Sequence, residues 1–225
     1  MKYYALIVAG GNGSRMSSDV PKQFLLLKGK PVLMHTVEAF YQSDIKPEII
    51  IVLNRLYTDQ WKSFCEEYNF NIPHKVVAGG ENRFYSVKNG LNEISENAVV
   101  AVHDAVRPLI DIALITKSYI VAQEKGNAVC CISSRDSIRQ KQGNSSIALK
   151  RESIFIVQTP QTFQAKLLKE AYNQPYTDEF TDDASVAEKA GVAINLIEGN
   201  RQNIKITYQE DLLIAEVLLN RKSGI

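Results

Sequence analysis

Residues 6–22 read LIVAGGNGSRMSSDVPK, and this stretch decides the fold class. The stretch begins within an apolar run, residues 4–9, that is typical of a buried parallel strand. The strand pattern stops at a turn with three glycines: Gly10, Gly11 and Gly13. Glycines let backbone N–H groups approach a ligand closely, and two cations, Arg15 and Lys22, follow them. A strand that leads into such a turn and two cations is suited to binding a polyphosphate.

Two commoner nucleotide-binding motifs do not fit this turn. A dinucleotide-binding turn has the pattern G-x-G-x-x-G, but Met16 stands where the third glycine belongs. No acidic residue ends a second strand about 20 residues further on, as that motif also requires. The P-loop pattern G-x-x-x-x-G-K-[ST] does not occur in the chain. On these residues alone, a glycine-rich turn that binds nothing stays open as an alternative.

The composition is that of an ordinary globular protein. The chain has 225 residues, of which 45% are hydrophobic and 23% charged, so we predict a single domain over residues 1–225. The net charge of +1 provides no bulk electrostatic attraction to nucleic acid or to a membrane surface. We therefore expect no nucleic-acid partner and assign any anion binding to locally placed lysines and arginines.

Neither a membrane segment nor a disulfide framework is indicated. No apolar run approaches the roughly 20 residues that span a bilayer, and the apolar N-terminus reads as a first strand, not as a signal peptide. The three cysteines are odd in number and two of them, Cys130 and Cys131, are adjacent, which favours a reducing compartment. We expect a cytoplasmic protein without a membrane partner.

Strand-like and helix-like segments alternate along the chain. Runs rich in Val and Ile predict strands at residues 4–9, 48–53, 74–78, 99–103 and 127–132. A further strand-like run lies at 193–198, and a short one at 204–207. Apolar residues at helical spacing lie between most of the strands, and a last helix is predicted from about residue 209 to 219. This alternation predicts an α/β fold with a doubly wound, mostly parallel sheet and an active site at the carboxyl ends of its strands.

The segment from about residue 135 to 158 differs from the rest. It is polar and contains a turn signal, Gln142-Gly143-Asn144, between SIRQK and IALK. A polar hairpin that leaves a compact body is a candidate β-arm. An ordinary surface hairpin is the alternative that composition leaves open.

The string VHDAVRP, residues 102–108, contains a candidate metal ligand. Asp104 follows an apolar strand, where a carboxylate needs a cationic partner or a metal. Mg²⁺ suits such a position because it takes one or two carboxylates together with phosphate oxygens. Arg107 could pair with Asp104 or bind a phosphate, so a purely structural ion pair stays open. His103 would point away from Asp104 and is predicted to be structural.

Three further segments are weaker signals. Gly79 and Gly80 precede a helix whose N-terminal N–H groups, with Ser86, could meet the polar edge of a base or a ribose. Residues 181–185 fit a helix N-cap, which is a sufficient structural explanation for them. Lys205 lies between two isoleucines and faces either solvent or a cleft.

Taken together, seven ordered strings resemble the 2-C-methyl-D-erythritol 4-phosphate cytidylyltransferases of the non-mevalonate isoprenoid pathway. The resemblance extends from about residue 3 to residue 219. The strings are AGGNGSRM, PKQFL, GGENRFYSVKNGL, VHDAVRP, QTPQTF, TDDASV and EGNRQNIKIT. The resemblance implies a Rossmann-like nucleotidyltransferase fold and a homodimer in which an arm from each subunit reaches over its partner. It also implies attack of a sugar-alcohol phosphate on the α-phosphorus of CTP, with release of pyrophosphate.

The same resemblance implies roles for individual residues. Catalytic roles would belong to Arg15, Lys22, Arg151 and Lys205. The nucleotide would contact Ala9, Gly10, Gly11, Gly13, Arg15, Lys22, Gly80, Glu81, Ser86, Asp104 and Ala105. The polyol phosphate would contact Asp104, Arg107, Ser137, Arg151, Thr181 and Lys205, with Ser137 and Arg151 supplied by the partner's arm. Asp104 would hold Mg²⁺.

Some spellings depart from the common pattern of that family. The departures are Ala9-Gly10-Gly11 for Ala-Ala-Gly, Glu81 for Asp, Val106 for Ala and Ser137 for Thr. The AGG and HDAVRP strings are also similar to the ribitol 5-phosphate cytidylyltransferases, so D-ribitol 5-phosphate is the alternative acceptor. An NAD(P)-dependent oxidoreductase is disfavoured by the missing third glycine, and a non-catalytic nucleotide-binding module by the set of cations.

Overall fold

The computed structural model describes residues 1–9 and 20–222. Those residues form eleven β-strands and seven α-helices. The central sheet contains β1 (Lys2–Ala9), β4 (Glu48–Leu53), β5 (Lys75–Ala78), β6 (Ala98–Asp104), β7 (Asn127–Ser133), β10 (Phe155–Gln164) and β11 (Leu196–Glu198). Two small hairpins are formed by β2 (Leu26–Leu27) with β3 (Lys30–Pro31), and by β8 (Ile138–Gln142) with β9 (Ser145–Leu149).

The helices are α1 (Val32–Tyr41), α2 (Thr58–Glu67), α3 (Arg83–Leu91), α4 (Ile112–Lys125), α5 (Ala165–Ala171), α6 (Asp183–Lys189) and α7 (Gln209–Lys222). Six of the helices lie between strands in the chain, and α7 follows the last strand. The Asp111 side chain caps α4 by accepting from Ala113 N–H (2.8 Å), and α4 ends at Gly126, whose φ is 92°. No helix within the described ranges is long and apolar enough to cross a membrane.

The central sheet is mostly parallel, as predicted. Its order in the described part of the chain is β11-β7-β10-β6-β1-β4-β5. The β1 strand pairs in parallel with β4 and β6, β4 with β5, and β7 with β11. The β10 strand lies antiparallel between β6 and β7. The prediction of a doubly wound α/β fold is confirmed.

Both faces of the sheet are covered by helices. Because side chains alternate along a strand, β1 contributes to two apolar clusters. Ile7 packs on the face that carries α1 and α4, where Tyr119 is buried. Leu6 packs on the opposite face, against Phe84 of α3 and Leu168 of α5. With both faces filled, the carboxyl edge of the strands is left to form a site.

The polar segment at residues 135–158 contains the hairpin of β8 and β9. Its turn includes Gly143 with a φ of 57°, and most residues of the two strands are exposed. The segment also includes the start of β10, at Phe155, which belongs to the central sheet. The extent of the predicted arm therefore overlaps one strand of the body.

Two predicted strands differ from the structure. The strand predicted at 193–198 is reduced to β11, and no strand forms at 204–207. Ile206 N–H donates to the Val106 carbonyl at 2.9 Å, but this contact is not extended into a ladder. The predicted alternation is kept, because Ile206 is buried and Lys205 is exposed.

Candidate active site

Asp104 lies at the centre of a charged cluster. It is the last residue of β6, at the carboxyl edge of the sheet, and is only 8% exposed. Lys205 Nζ lies 3.0 Å and Arg107 Nε 3.3 Å from its Oδ2, and Arg83 Nε lies 3.6 Å from its Oδ1. The Asp104 backbone N–H donates to Thr159 Oγ1 at 3.1 Å. The ion pair predicted for Asp104 and Arg107 is thus one contact of a larger cluster.

The surrounding cations keep the Asp104 carboxyl ionised. Burial raises its pKa, but the attraction of Arg83, Lys205 and Arg107 outweighs burial and holds the pKa well below its usual range. Asp104 compensates one of these three positive charges, and Asp183, which pairs with Arg83 at 2.7 Å, compensates a second. The excess positive charge makes this edge of the sheet suited to binding phosphates.

Arg83 belongs to the cluster but was missed as a site residue in the sequence. Its Nη1 and Nη2 donate to the two carboxylate oxygens of Asp183 at 3.0 and 2.7 Å. Asp183 is fully buried and also accepts from Tyr172 Oη at 2.7 Å. Burial lowers the pKa of the Arg83 guanidinium, and the Asp183 and Asp104 carboxylates raise it by more. The signal for Arg83 was its place in the first turn of α3, where a helix disfavours a cation unless carboxylates compensate it.

Two neighbouring clefts share three charged side chains: Arg83, Asp104 and Lys205. The first cleft has a volume of about 160 Å³ and is also lined by Ala9, Lys22 and Ala105. The second has a volume of about 230 Å³ and is also lined by Arg107, Gln161 and Thr181. Since the charged side chains belong to both clefts, groups bound in either cleft would be within reach of the same cations.

Four residues predicted to contact a nucleotide line the first cleft: Ala9, Lys22, Asp104 and Ala105. Ala9 ends β1, and Ala105 N–H donates to the Val8 carbonyl (3.0 Å). Lys22 begins a short 3₁₀ turn and its Nζ donates to the Thr207 carbonyl at 2.6 Å. The other predicted residues of this turn, Gly10, Gly11, Gly13 and Arg15, lie outside the described residues.

The loop before α3 is held by its own hydrogen bonds. Gly80 N–H donates to Ser86 Oγ (3.1 Å), and that hydroxyl donates to the Asn82 carbonyl (2.8 Å). A Cβ on Gly80 would lie 2.4 Å from Tyr85 Cβ, so the position needs glycine. Ser86 is fully buried and here shapes the loop, whereas Glu81 is exposed. Contacts of Gly80, Glu81 and Ser86 with a nucleotide stay predictions.

The second cleft brings together four residues predicted to contact the polyol phosphate: Asp104, Arg107, Thr181 and Lys205. Besides Asp104, Arg107 binds the Asn203 carbonyl through Nη1 at 2.8 Å. Thr181 precedes Asp182, whose side chain accepts from Ser185 N–H (2.8 Å) in a capping box. The N-cap interpretation of residues 181–185 is therefore confirmed. Arg107, Thr181 and Lys205 all line this cleft.

Ser137 and Arg151 lie outside both clefts within the described part of the chain. Ser137 is exposed just before β8. The Arg151 side chain is 56% exposed, and its Nε contacts the neighbouring Glu152 at 3.3 Å. A single chain therefore does not bring these two predicted contacts to the charged cluster.

Among residues 1–9 and 20–222, the histidine and cysteine side chains offer no activated nucleophile. His103 packs on Phe40, with ring centroids 5.0 Å apart, and its Nε2 is hydrogen-bonded to the Arg107 carbonyl (3.2 Å). Burial lowers the pKa of His103 to about 4, so the ring is neutral. Burial raises the pKa of the Cys130 thiol to about 12 and that of Cys65 to about 11. A neutral buried imidazole and protonated thiols leave charge and positioning as the chemistry that this cluster offers.

Asp104 is the residue that the sequence predicts to hold Mg²⁺. No group of three or more His, Cys, Asp and Glu side chains in residues 1–9 and 20–222 could hold a metal. Asp104 Oδ1 has Arg83 Nε at 3.6 Å, beyond ordinary hydrogen-bonding distance, so this oxygen can accept a further partner. One carboxylate oxygen fits Mg²⁺ when phosphate oxygens and water supply the remaining ligands.

Comparisons with known proteins point to one family. A profile of the 2-C-methyl-D-erythritol 4-phosphate cytidylyltransferases matches residues 3–221. Proteins of that name from Bacteroides thetaiotaomicron and Phocaeicola vulgatus are each 48% identical over 219 residues, which is 97% of this chain and 100% of each relative. The crystal structure of 4-diphosphocytidyl-2C-methyl-D-erythritol synthase from Anaerococcus prevotii superimposes with a TM-score of 0.83 at 25% identity, covering 97% of this chain and 96% of that chain.

Proposed function

This chain belongs to the 2-C-methyl-D-erythritol 4-phosphate cytidylyltransferase family, and from this premise we propose that it transfers CMP from CTP to 2-C-methyl-D-erythritol 4-phosphate. The products are 4-diphosphocytidyl-2-C-methyl-D-erythritol and pyrophosphate, and the reaction belongs to isoprenoid precursor synthesis. The observation that carries the proposal is the cluster of Arg83, Lys205 and Asp104 shared by two clefts. Such an arrangement suits a reaction between two phosphate-bearing substrates.

The reaction forms one bond and breaks another at the same phosphorus. An oxygen of the acceptor's phosphate attacks the α-phosphorus of CTP, and the bond from that phosphorus to the bridging oxygen of the β-phosphate breaks. Pyrophosphate carries away the bonding electrons. Negative charge builds up on the phosphates as this bond breaks. Catalysis therefore depends on positioned cations rather than on a covalent nucleophile.

The first cleft is assigned to CTP. Lys22 lines it and would stabilise the charge on the phosphates together with Arg15. Ala9 and Ala105 line this cleft, one at the end of β1 and the other just after β6, the adjacent strand. Gly80, Glu81 and Ser86 are assigned to the base and ribose, with Ser86 acting through the loop that it holds.

The second cleft is assigned to the methylerythritol phosphate. Arg107 and Lys205 would bind its phosphate, and Thr181 is placed to meet its hydroxyls. Lys205 is ion-paired with Asp104 at 3.0 Å, which keeps its ammonium group at the boundary of the two clefts. The attacking phosphate is thereby directed toward the CTP side.

Mg²⁺ is the proposed cofactor, and Asp104 is the residue that would hold it. The ion would neutralise part of the charge on the triphosphate of CTP. The support is chemical: a carboxylate that stays ionised, with Oδ1 able to accept a further partner. The residues around Asp104 would bind and orient the phosphates with or without the ion.

A homodimer is the proposed assembly, with each arm completing the partner's second cleft. Ser137 and Arg151 then reach an acceptor that they cannot meet in their own chain. Exposed apolar side chains at and beside the arm support an interface there: Ile147, Phe155, Ile156, Val157 and Leu196. Sedimentation at micromolar concentration should give about twice the 25.2 kDa chain mass, and a species of one chain mass would contradict arm exchange.

The proposed location is the cytoplasm, with no nucleic-acid or membrane partner. Both substrates are small charged molecules, and the net charge of +1 gives no bulk attraction to polyanions. Cell fractionation should place the protein with other cytoplasmic enzymes. Recovery in a membrane or nucleic-acid fraction at physiological salt would contradict this location.

Pyrophosphate release with CTP and Mg²⁺ tests the activity. The assay is run in parallel on 2-C-methyl-D-erythritol 4-phosphate and D-ribitol 5-phosphate. A higher kcat/KM for the first acceptor is expected. Preference for ribitol 5-phosphate would move the enzyme to a different polyol phosphate with the same chemistry, and release with neither, alongside intact CTP binding, would overturn the proposed reaction.

A further inference from the structure

The string QTPQ, residues 158–161, forms one wall of the second cleft, yet the proposed reaction assigns it no task. It lies in β10, where the pairing with β7 shifts register between Val157 and Gln161. Such an irregularity redirects side chains out of the regular alternation of the strand. Gln158, Thr159 and Gln161 are all buried, although their side chains are polar.

Gln158 holds the turn that leads to Lys205. Its Nε2 donates to the carbonyls of Asn200 (2.9 Å) and Asn203 (3.4 Å), and its Oε1 accepts from Asn200 N–H (3.3 Å). The Asn203 carbonyl also accepts from Arg107 Nη1. One amide therefore supports the turn to which Arg107 is anchored and from which Lys205 extends two residues later.

The backbone around this turn is fitted to the Gln158 amide. A Cβ on Gly199 would lie 2.5 Å from Gln158 Oε1. Asn203 Nδ2 donates to the Thr159 carbonyl at 2.7 Å, which fixes the turn to β10 at a second point. The position of Lys205 relative to Asp104 thus depends on contacts made by the QTPQ segment.

Gln161 holds the opposite side of the same cleft. Its Nε2 donates to Asp182 Oδ2 and its Oε1 accepts from Ala184 N–H, both at 2.8 Å. Asp182 caps α6 and follows Thr181, which lines the cleft. The amide therefore fixes the segment that presents Thr181.

We propose that Gln158 and Gln161 are positioning residues of the acceptor cleft: Gln158 sets the geometry of Lys205 and Arg107, and Gln161 that of Thr181. The proposal rests on the proposed function, since it names what places the acceptor in that reaction. An amide suits both positions because it donates and accepts at once, and each partner is a buried or half-buried polar group that needs its bond. Neither glutamine lines the first cleft. Gln158 reaches that cleft only through Lys205, whose ammonium group is assigned to the acceptor's phosphate, so CTP binding should change little when either glutamine is substituted.

The test compares three isosteric substitutions: Gln158→Glu, Gln161→Glu and the control Gln164→Glu. Each removes an N–H donor, and the control lies on the same strand, where Gln164 Nε2 donates to the Gln123 carbonyl away from both clefts. Steady-state kinetics are measured with each substrate varied, together with melting temperature. We expect Gln158→Glu to lower kcat about tenfold or more and Gln161→Glu to raise the KM for the acceptor by a similar factor. The KM for CTP should stay within about twofold in both.

A second set of variants separates positioning from folding. Gln158→Met and Gln161→Met remove the hydrogen bonds without adding charge, and should reproduce the same two kinetic effects. Gly199→Ala keeps the Gln158 amide but displaces it, and should lower kcat severalfold with the KM for CTP unchanged. Parallel loss of CTP binding, acceptor binding and melting temperature would show a structural role only and overturn the proposal.

Two further results are decisive. Variants with wild-type kinetics for both substrates would overturn the positioning role while leaving the proposed function intact. Wild-type protein without turnover on either acceptor would overturn the proposed function, and this inference with it.

Discussion

The residues predicted to contact the acceptor lie in two regions, the carboxyl edge of the sheet and the hairpin arm, and these regions differ in burial and ion pairing. At the edge, Arg107 and Lys205 are held within 3.3 Å of a buried carboxylate. On the arm, the Arg151 side chain forms an exposed ion pair with the adjacent Glu152, and Ser137 is exposed. One chain therefore preorganises the body of the site, whereas its arm residues Ser137 and Arg151 do not line either cleft of the same chain.

The sharpest contrast between the two regions concerns stability. Asp183→Asn breaks a buried pair with Arg83 and should lower the free energy of unfolding by roughly 3–5 kcal/mol, because an uncompensated charge stays in the body. Glu152→Gln removes the exposed pair of the arm and should leave the free energy of unfolding unchanged. Urea denaturation of both variants measures the difference. Equal effects would show that the body is no more preorganised than the arm.

Removal of a cation from the body should stop turnover without unfolding the chain. Lys22→Ala is expected to lower kcat by at least about 10², because one preorganised donor to developing charge is lost. Lys62→Ala, an exposed lysine of α2, is the matched control and should keep wild-type kinetics. Pyrophosphate release and circular dichroism are measured on both. A near-normal kcat for Lys22→Ala would remove Lys22 from the catalytic residues.

The body should also respond to pH through a buried group, and the arm should not. His103 has a pKa of about 4 when folded and an ordinary value near 6.5 when unfolded, so the unfolded chain binds more protons between these values. Stability therefore falls as pH decreases from 7 to 5, by about 2 kcal/mol from this residue. Asp104 acts in the same direction at lower pH: its lowered pKa contributes stability above the unfolded value near 3.9, and that stability is lost as pH falls below this value.

His103→Gln isolates this contribution. The variant keeps a donor for the Arg107 carbonyl but cannot take up the proton, so its denaturation midpoint should change less than that of the wild type between pH 7 and 5. Thermal melts at several pH values provide the comparison. Parallel pH dependences for the variant and the wild type would mean that the ring titrates normally in the folded protein.

The arm itself should show the smallest effect, restricted to one substrate. Arg151→Ala is expected to lower kcat/KM for the acceptor about tenfold and to leave the KM for CTP unchanged, because the variant loses the guanidinium that is proposed to bind the acceptor. Arg139→Ala, on the same hairpin, removes contacts with Ser146 only and serves as the control. Equal kinetic losses in the two variants would indicate a general disturbance of the hairpin.

Local signals in the sequence predicted most of the body. Strands such as β4 and helix caps such as Asp111 depend on residue types close in the chain, so their bounds could be predicted closely. The β10 strand could not, because it contains Pro160 and several polar residues, which argue against a central strand. It is accommodated by the register shift beside Val157, which depends on pairing with β6 and β7, distant in sequence.

The site shows the same division. Asp104 and Arg107 lie three residues apart, so their pairing could be anticipated from spacing. The pair of Arg83 with Asp183 joins residues 100 positions apart, and Gln158 reaches the Asn200 turn across 42 positions. Such contacts exist only once the strands are ordered in the sheet, which residue spacing does not determine.

A mixture of two impaired variants, compared by kcat/KM for the acceptor, tests whether catalysis occurs where the body of one chain meets the arm of another. Lys22→Ala and Arg151→Ala proteins are dissociated, mixed in equal amounts and reassembled, and pyrophosphate release is measured. Random pairing places one intact site in half of the dimers, so activity should rise to about a quarter of the wild-type value. Activity that stays at the average of the two separate variants would contradict a site shared between chains.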